Sequence, residues 1–146
     1  MSAFGKRTIS RIKVLFKLYQ YDLLKEDVDD EIYDMEFKKL LEESELTEND
    51  IDEEFVNSLY DGIIDNIQKI DRLISINLTG YEIGRLNEVD RNIIRIGVYE
   101  IVYLKTPKAI VIDEVVKLSK EYTETNSFLS SKFNNSLLDK IAKSVE

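Results

Sequence analysis

An all-helical fold is predicted by three features of the sequence. Apolar residues recur at steps of three and four along most of the chain. Only one Pro and five Gly interrupt 146 residues, and the Val–Thr alternation of half-buried strands is scarce. The length suits a single domain over residues 1–146, large enough to enclose a core. With 43% hydrophobic and 34% charged residues, the composition is that of an ordinary globular protein.

The first helix is expected over 6–24. Ile9, Ile12, Phe16, Tyr19 and Leu23 make one apolar face, with Arg7 and Arg11 to one side and Lys6, Lys13 and Lys17 to the other. The bases are therefore expected to be displayed. A second helix over 30–43 turns Tyr33, Phe37, Leu40 and Leu41 inward. Thr47 stands three residues before Asp50, the pattern of a capping box, and should open a long helix over 48–69 carried by Ile51, Phe55, Leu59, Ile63 and Ile67. Another helix is expected over 72–84, its end weakened by Gly80 and Gly84.

Residues 87–105 are apolar nearly all round: Val89, Ile93, Ile94, Ile96, Val98, Ile101, Val102 and Leu104. Such a helix is usually the central one, packed on every side. Glu100 shares a side with Val89, Ile93 and Ile96, so its carboxylate needs a partner or a cap. Arg91 and Arg95 are expected as exposed charges around this helix, Arg95 pairing with a neighbouring acid. Pro107 restarts the chain. Helices over 108–123 and 130–145, joined by a Thr-, Asn- and Ser-rich loop at 123–129, bring the number to about seven.

Charge is unevenly placed. The chain has a net charge of −9, yet residues 1–21 hold five bases and no acid. Residues 22–66 hold 18 acids against 3 bases. This asymmetry suggests a polyanion site at the amino-terminal end, with acids elsewhere solvated or facing a partner. The Debye length is about 8 Å at physiological salt, so distant acids would hardly weaken such a site.

Enzyme chemistry is poorly provided for. The chain has no His and no Cys, which removes the commonest general base and all thiolate and disulfide chemistry. There is no glycine-rich phosphate loop and no nucleophile elbow. A hydrolase built on paired carboxylates is the one enzymatic alternative. No cofactor, metal site or membrane span is expected. The missing cysteines and the lack of an apolar signal segment fit a cytoplasmic protein.

Four stretches carry a resemblance: residues 11–20 (RIKVLFKLYQ), 85–101 (RLNEVDRNIIRIGVYEI), 107–120 (PKAIVIDEVVKLSK) and 132–139 (KFNNSLLD). In order and spacing they resemble the NusB family of bacterial transcription antitermination factors. Residues 22–84 match that family only in length and helicity. The arginine run common in the family's first turn is thinned here to Lys6, Arg7 and Arg11. Asn134 and Ser136 replace the Val and Gly that usually flank the family's Asn.

The resemblance implies two small helical bundles. It also implies binding to boxA, an unpaired element of nascent ribosomal RNA leaders, and partnership with the ribosomal protein NusE in an RNA polymerase complex that resists termination. On that reading Lys6, Arg7, Arg11 and Lys132 would meet phosphates, Phe133 would stack on a base, and Asn135 would read a base edge. Three or four phosphate contacts would give a log–log salt slope of about −2 to −3. Tyr19 and Asp90 would face the protein partner. Each has a plainer reading beside it. Tyr19 and Phe133 suit a core, Asn135 suits a turn, and Asp90 suits a reciprocal helix-start cap with Asn87. A protein–protein adaptor that binds no RNA is the alternative function.

Overall fold

The computed structural model describes residues 5–24, 38–39, 41–43, 45–79, 82–122 and 129–145. Its α-helices are α1 (Lys6–Leu24), α2 (Glu53–Asp65), α3 (Ile67–Asn77), α4 (Glu88–Val102), α5 (Lys108–Tyr122) and α6 (Leu129–Ser144), with single 3-10 turns at Glu48–Asp50 and Ile83–Arg85. Helical backbone at 38–39 and 41–43 makes a seventh helical segment, and no strand occurs among the described residues. Of the expected second helix, Leu41 is buried, whereas Tyr33, Phe37 and Leu40 lie outside the described residues, as does most of the 123–129 loop. The chain divides into two compact units, residues 1–61 and 62–146, the boundary falling inside α2.

In the first unit α1 is buried far more completely than an amphipathic helix needs. Ile9, Ile12, Val14, Leu15 and Leu18 are all enclosed, and so are Thr8, Ser10 and Arg11. Buried hydroxyls on a helix need local acceptors, and Ser10 Oγ donates to the Lys6 carbonyl at 3.0 Å.

The expected helix over 48–69 is instead three elements. Thr47 does start one, its N–H donating to Asp50 Oδ2 at 2.8 Å, but the turn ends at Ile51 in extended backbone. Asp52 then starts α2 afresh, its Oδ1 accepting the Phe55 N–H at 3.0 Å. The second break is at Asn66, whose backbone leaves the helix at φ −117°. Its side-chain amide donates to the Gly62 carbonyl at 2.8 Å. An asparagine that bonds the carbonyl four residues back competes with the helix ladder.

The helix expected over 72–84 is corrected in the same way. Asn77 Nδ2 takes the Leu73 carbonyl at 2.9 Å, and α3 stops there. Gly84 belongs to the later 3-10 turn, and Gly80 lies outside the described residues.

In the second unit α3, α4, α5 and α6 pack on one another. The central helix is as expected: Asn92 through Val98 are all buried, as is Glu100 at 1% exposure. Gly97 lets its neighbours close in. A Cβ there would stand 2.9 Å from Leu138 on α6 and 3.1 Å from Val115 on α5. Leu104 departs from expectation. The helix ends at Val102, Lys105 turns the chain at φ 59°, and Leu104 is left exposed.

Candidate nucleic-acid interface

Of the five amino-terminal bases on α1, Lys6 and Arg7 are exposed, Lys13 and Lys17 half-buried and Arg11 buried, and the structure brings partners to them. Lys6 Nζ lies 3.4 Å from Asp50 Oδ1, and Arg7 Nη1 lies 3.4 Å from Asp52 Oδ2. Lys13 Nζ donates to Glu53 Oε1 at 2.8 Å. The Arg7 guanidinium also sits 4.0 Å from the centroid of the Phe55 ring, and Lys17 Nζ lies 4.4 Å from that of Tyr60. Cations over aromatic faces gain from the ring quadrupole.

Two expectations are corrected here. Arg11 is not displayed: it is 5% exposed, with its guanidinium 5.6 Å from the Phe55 centroid. As folded, it has too little surface to hold a phosphate. Nor is the end of the chain free of acids in space. Asp50, Asp52 and Glu53 stand some forty residues away in sequence, but the turn before α2 brings them onto α1. Sequence position alone could not show this, because nothing in the local pattern of residues 47–55 goes beyond helix-start chemistry.

The turn is pinned where it crosses the helix. The Asp52 N–H donates to Ser10 Oγ at 3.1 Å. Asp50 is held below the usual carboxylate range, first by the Thr47 N–H and then by Lys6. Tyr19, farther along α1, is half-buried.

The remaining candidates lie in the second unit. On α6, Lys132 and Asn135 are exposed, and Ser136, Lys140 and Lys143 continue the exposed face at helical spacing. Phe133 is half-buried and lines a shallow groove of about 190 Å³ with Asn77, Thr79 and Lys140. Lys140 Nζ closes one side by donating to the Asn77 carbonyl at 3.1 Å and to Thr79 Oγ1 at 3.2 Å. An unpaired base stacks on an aromatic face while a nearby lysine takes its phosphate, and Phe133 and Lys140 are residues of those two kinds.

Asp90, on the first turn of α4, settles part of its double reading. Asn87 Oδ1 accepts the Val89 N–H at 2.8 Å, so the asparagine caps the helix. The Asp90 carboxylate turns away from the reciprocal bond and accepts from Asn134 Nδ2 at 2.9 Å. The same amide donates to Ser119 Oγ at 2.9 Å, and Ser119 Oγ in turn donates to the Val115 carbonyl at 2.8 Å. Asn134, fully buried, therefore ties α4, α5 and α6 together at the foot of Asp90. Sequence reading had no signal for this beyond the unusual identity of the residue.

Arg95 is likewise buried rather than exposed. It does find its acid, as a forked pair with Asp71 at 2.8 and 2.7 Å. Among the described residues no three acidic side chains gather as a metal site would require, and no helix is long and apolar enough to cross a membrane.

Comparison with known proteins covers nearly the whole chain. The model described as the NusB family matches residues 8–143. A Ruminiclostridium cellulolyticum protein described as transcription antitermination protein NusB is 33% identical over 138 residues, 94% of this chain and 88% of that one. An Aliarcobacter butzleri protein of the same description is 35% identical over 137 residues, 94% and 97% of the two chains. Among solved structures, one of antitermination factors NusB and NusE in complex with dsRNA aligns with a TM-score of 0.73 at 31% identity, covering 95% of this chain and 97% of that one. The solution structure of NusB from Aquifex aeolicus aligns with a TM-score of 0.71 at 31% identity, covering 97% and 90%.

Proposed function

The chain belongs to the NusB family, and on that premise we propose that it is a bacterial transcription antitermination factor. It binds the boxA element of nascent ribosomal RNA leader transcripts together with NusE and so makes RNA polymerase resist termination. It works by binding and makes or breaks no bond. Its place is the cytoplasm, where those transcripts are made. The observation that carries the reading is the near full-length match to a NusB solved with NusE and RNA. The charge of α1 does not carry it, since that charge is largely paired.

Within this function Lys6 and Arg7 on α1 are assigned to phosphates. On α6, Lys132 is assigned to a phosphate, Phe133 to stacking and Asn135 to a base edge. Asp90, held in place by Asn134, and Tyr19 are assigned to NusE. Titration of labelled boxA RNA tests the reading. Added NusE should raise the affinity, and a scrambled sequence should bind more weakly. Equal binding of both RNAs with no gain from NusE would overturn it. Replacing Lys6 and Arg7 together by Ala should flatten the log–log salt slope by roughly 1.4, at ~0.7 per single-strand contact.

The second reading, a protein–protein adaptor without RNA binding, is favoured by the pairing of Lys6, Arg7 and Lys13 with acids. It predicts NusE binding that is indifferent to added RNA and to the loss of Lys6 and Arg7.

A further inference from the structure

We propose that Asp50, Asp52 and Glu53 act as internal stand-ins for RNA phosphates: they hold the cationic groups of α1 until a strand displaces them, and so set the affinity and selectivity of the interface. This rests on the RNA-binding reading above and concerns how that same site is gated.

The geometry points to a built arrangement rather than chance neighbours. Both aspartates divide their oxygens between two tasks. Asp50 uses Oδ2 to accept the Thr47 N–H and turns Oδ1 to Lys6. Asp52 uses Oδ1 to cap α2 at Phe55 and turns Oδ2 to Arg7. Glu53, in the first turn of the same helix, takes Lys13. The segment is tied to the helix by the Asp52 N–H, which donates to Ser10 Oγ, and Ser10 is wholly buried in α1. Three anionic oxygens thereby each stand beside a base of α1.

Exposed pairs of this kind are weak individually and readily exchanged. Lys6 and Arg7 are well exposed in their pairs, as are Asp52 and Glu53 in theirs. A lone phosphate gains one contact at the loss of one pair. A strand presents several phosphates on one tether, so once the first has exchanged the next arrives at high effective concentration. The acids therefore discriminate against small anions and weak, single-contact RNAs while still yielding to an extended strand.

The test is a variant with Asp50→Asn, Asp52→Asn and Glu53→Gln. Asparagine keeps the capping geometry at both aspartate positions, so the fold should survive, and circular dichroism and the melting temperature check that it does. A control, Asp65→Asn, Glu82→Gln and Glu121→Gln, removes the same charge from exposed positions elsewhere. With boxA RNA in the presence of NusE at fixed salt, the first variant should bind on the order of tenfold more tightly than the parent. It should also retain scrambled RNA that the parent releases. The control should change affinity far less. Should parent and variant bind equally, or the control gain as much as the variant, the proposal is overturned while RNA binding stands. If no form binds RNA, but NusE still binds, the RNA reading itself falls and the proposal falls with it.

Discussion

Arg95 shows how much a single side chain in this protein depends on one neighbour. Its guanidinium is buried in the second unit, forked onto Asp71 and donating also to Asn92 Oδ1 at 2.9 Å. Asn92 is itself fixed by the Glu88 carbonyl. Breaking a buried pair from one side leaves a desolvated charge with no counterpart. Asp71→Ala should therefore destabilise the protein by roughly 3 kcal/mol, the low end for such pairs, because Asp71 keeps 28% of its side chain in water. Denaturant unfolding measures this, and a loss under 1 kcal/mol would mean that water reaches Arg95 easily. The sequence suggested an acid partner for Arg95 but placed the arginine outside. An arginine on an apolar helix reads the same whether its partner stands in solvent or within the core.

At the scale of elements, close approach between helices is set by two glycines. Gly97 opens α4 to Val115 and Leu138. Gly62, on α2, lies directly under the ring of Tyr99, whose hydroxyl occupies the space a Cβ would need. That ring is stacked on Tyr103 with centroids 5.0 Å apart, so it cannot swing away freely. Gly62→Ala should destabilise by about 1–2 kcal/mol, overpacking outweighing the gain of nearly 1 kcal/mol in helix propensity. Tyr99→Leu in the same chain should recover much of that loss. A double-mutant cycle on unfolding free energies measures the coupling, and simple additivity would show that the ring is not the obstacle. Helix ends obey a related economy. Asn66 and Asn77 each use the side-chain amide on a carbonyl four residues back. The apolar periodicity runs straight through Asn66, which is why spacing alone suggested a helix that continues.

For the whole molecule the governing quantity is where opposite charges meet. Asp139 is held below the usual carboxylate range by Lys108 first and then by Lys143, just as Asp50 is by Thr47 and Lys6. A carboxyl depressed in the folded state binds its proton more readily when unfolded. Its stabilisation is complete above the unfolded value of 3.8 and is lost as pH falls through the folded value beneath it. The melting temperature should thus hold from neutral pH to about pH 5 and drop below about pH 4. Asp139→Asn should lower it at neutral pH, and the gap from the parent should close as the solution is acidified. A gap that stays constant with pH would show that the carboxylate's charge contributes nothing.

The residues by themselves determined the helical class, the central helix with its Asn87 start, the two final helices and the family. Each of these is written in local spacing: a stripe of apolar side chains, a cap, a short run of identities in order. Only the tertiary structure decided that Arg11 and Arg95 are buried, that Asn134 holds Asp90, and that the bases of α1 meet Asp50, Asp52 and Glu53. Those facts depend on segments 24 to 45 residues apart being folded onto one another. Electrostatic pairing acts through space and is screened beyond about 8 Å at physiological salt, so a charge count along the chain carries no trace of which groups meet.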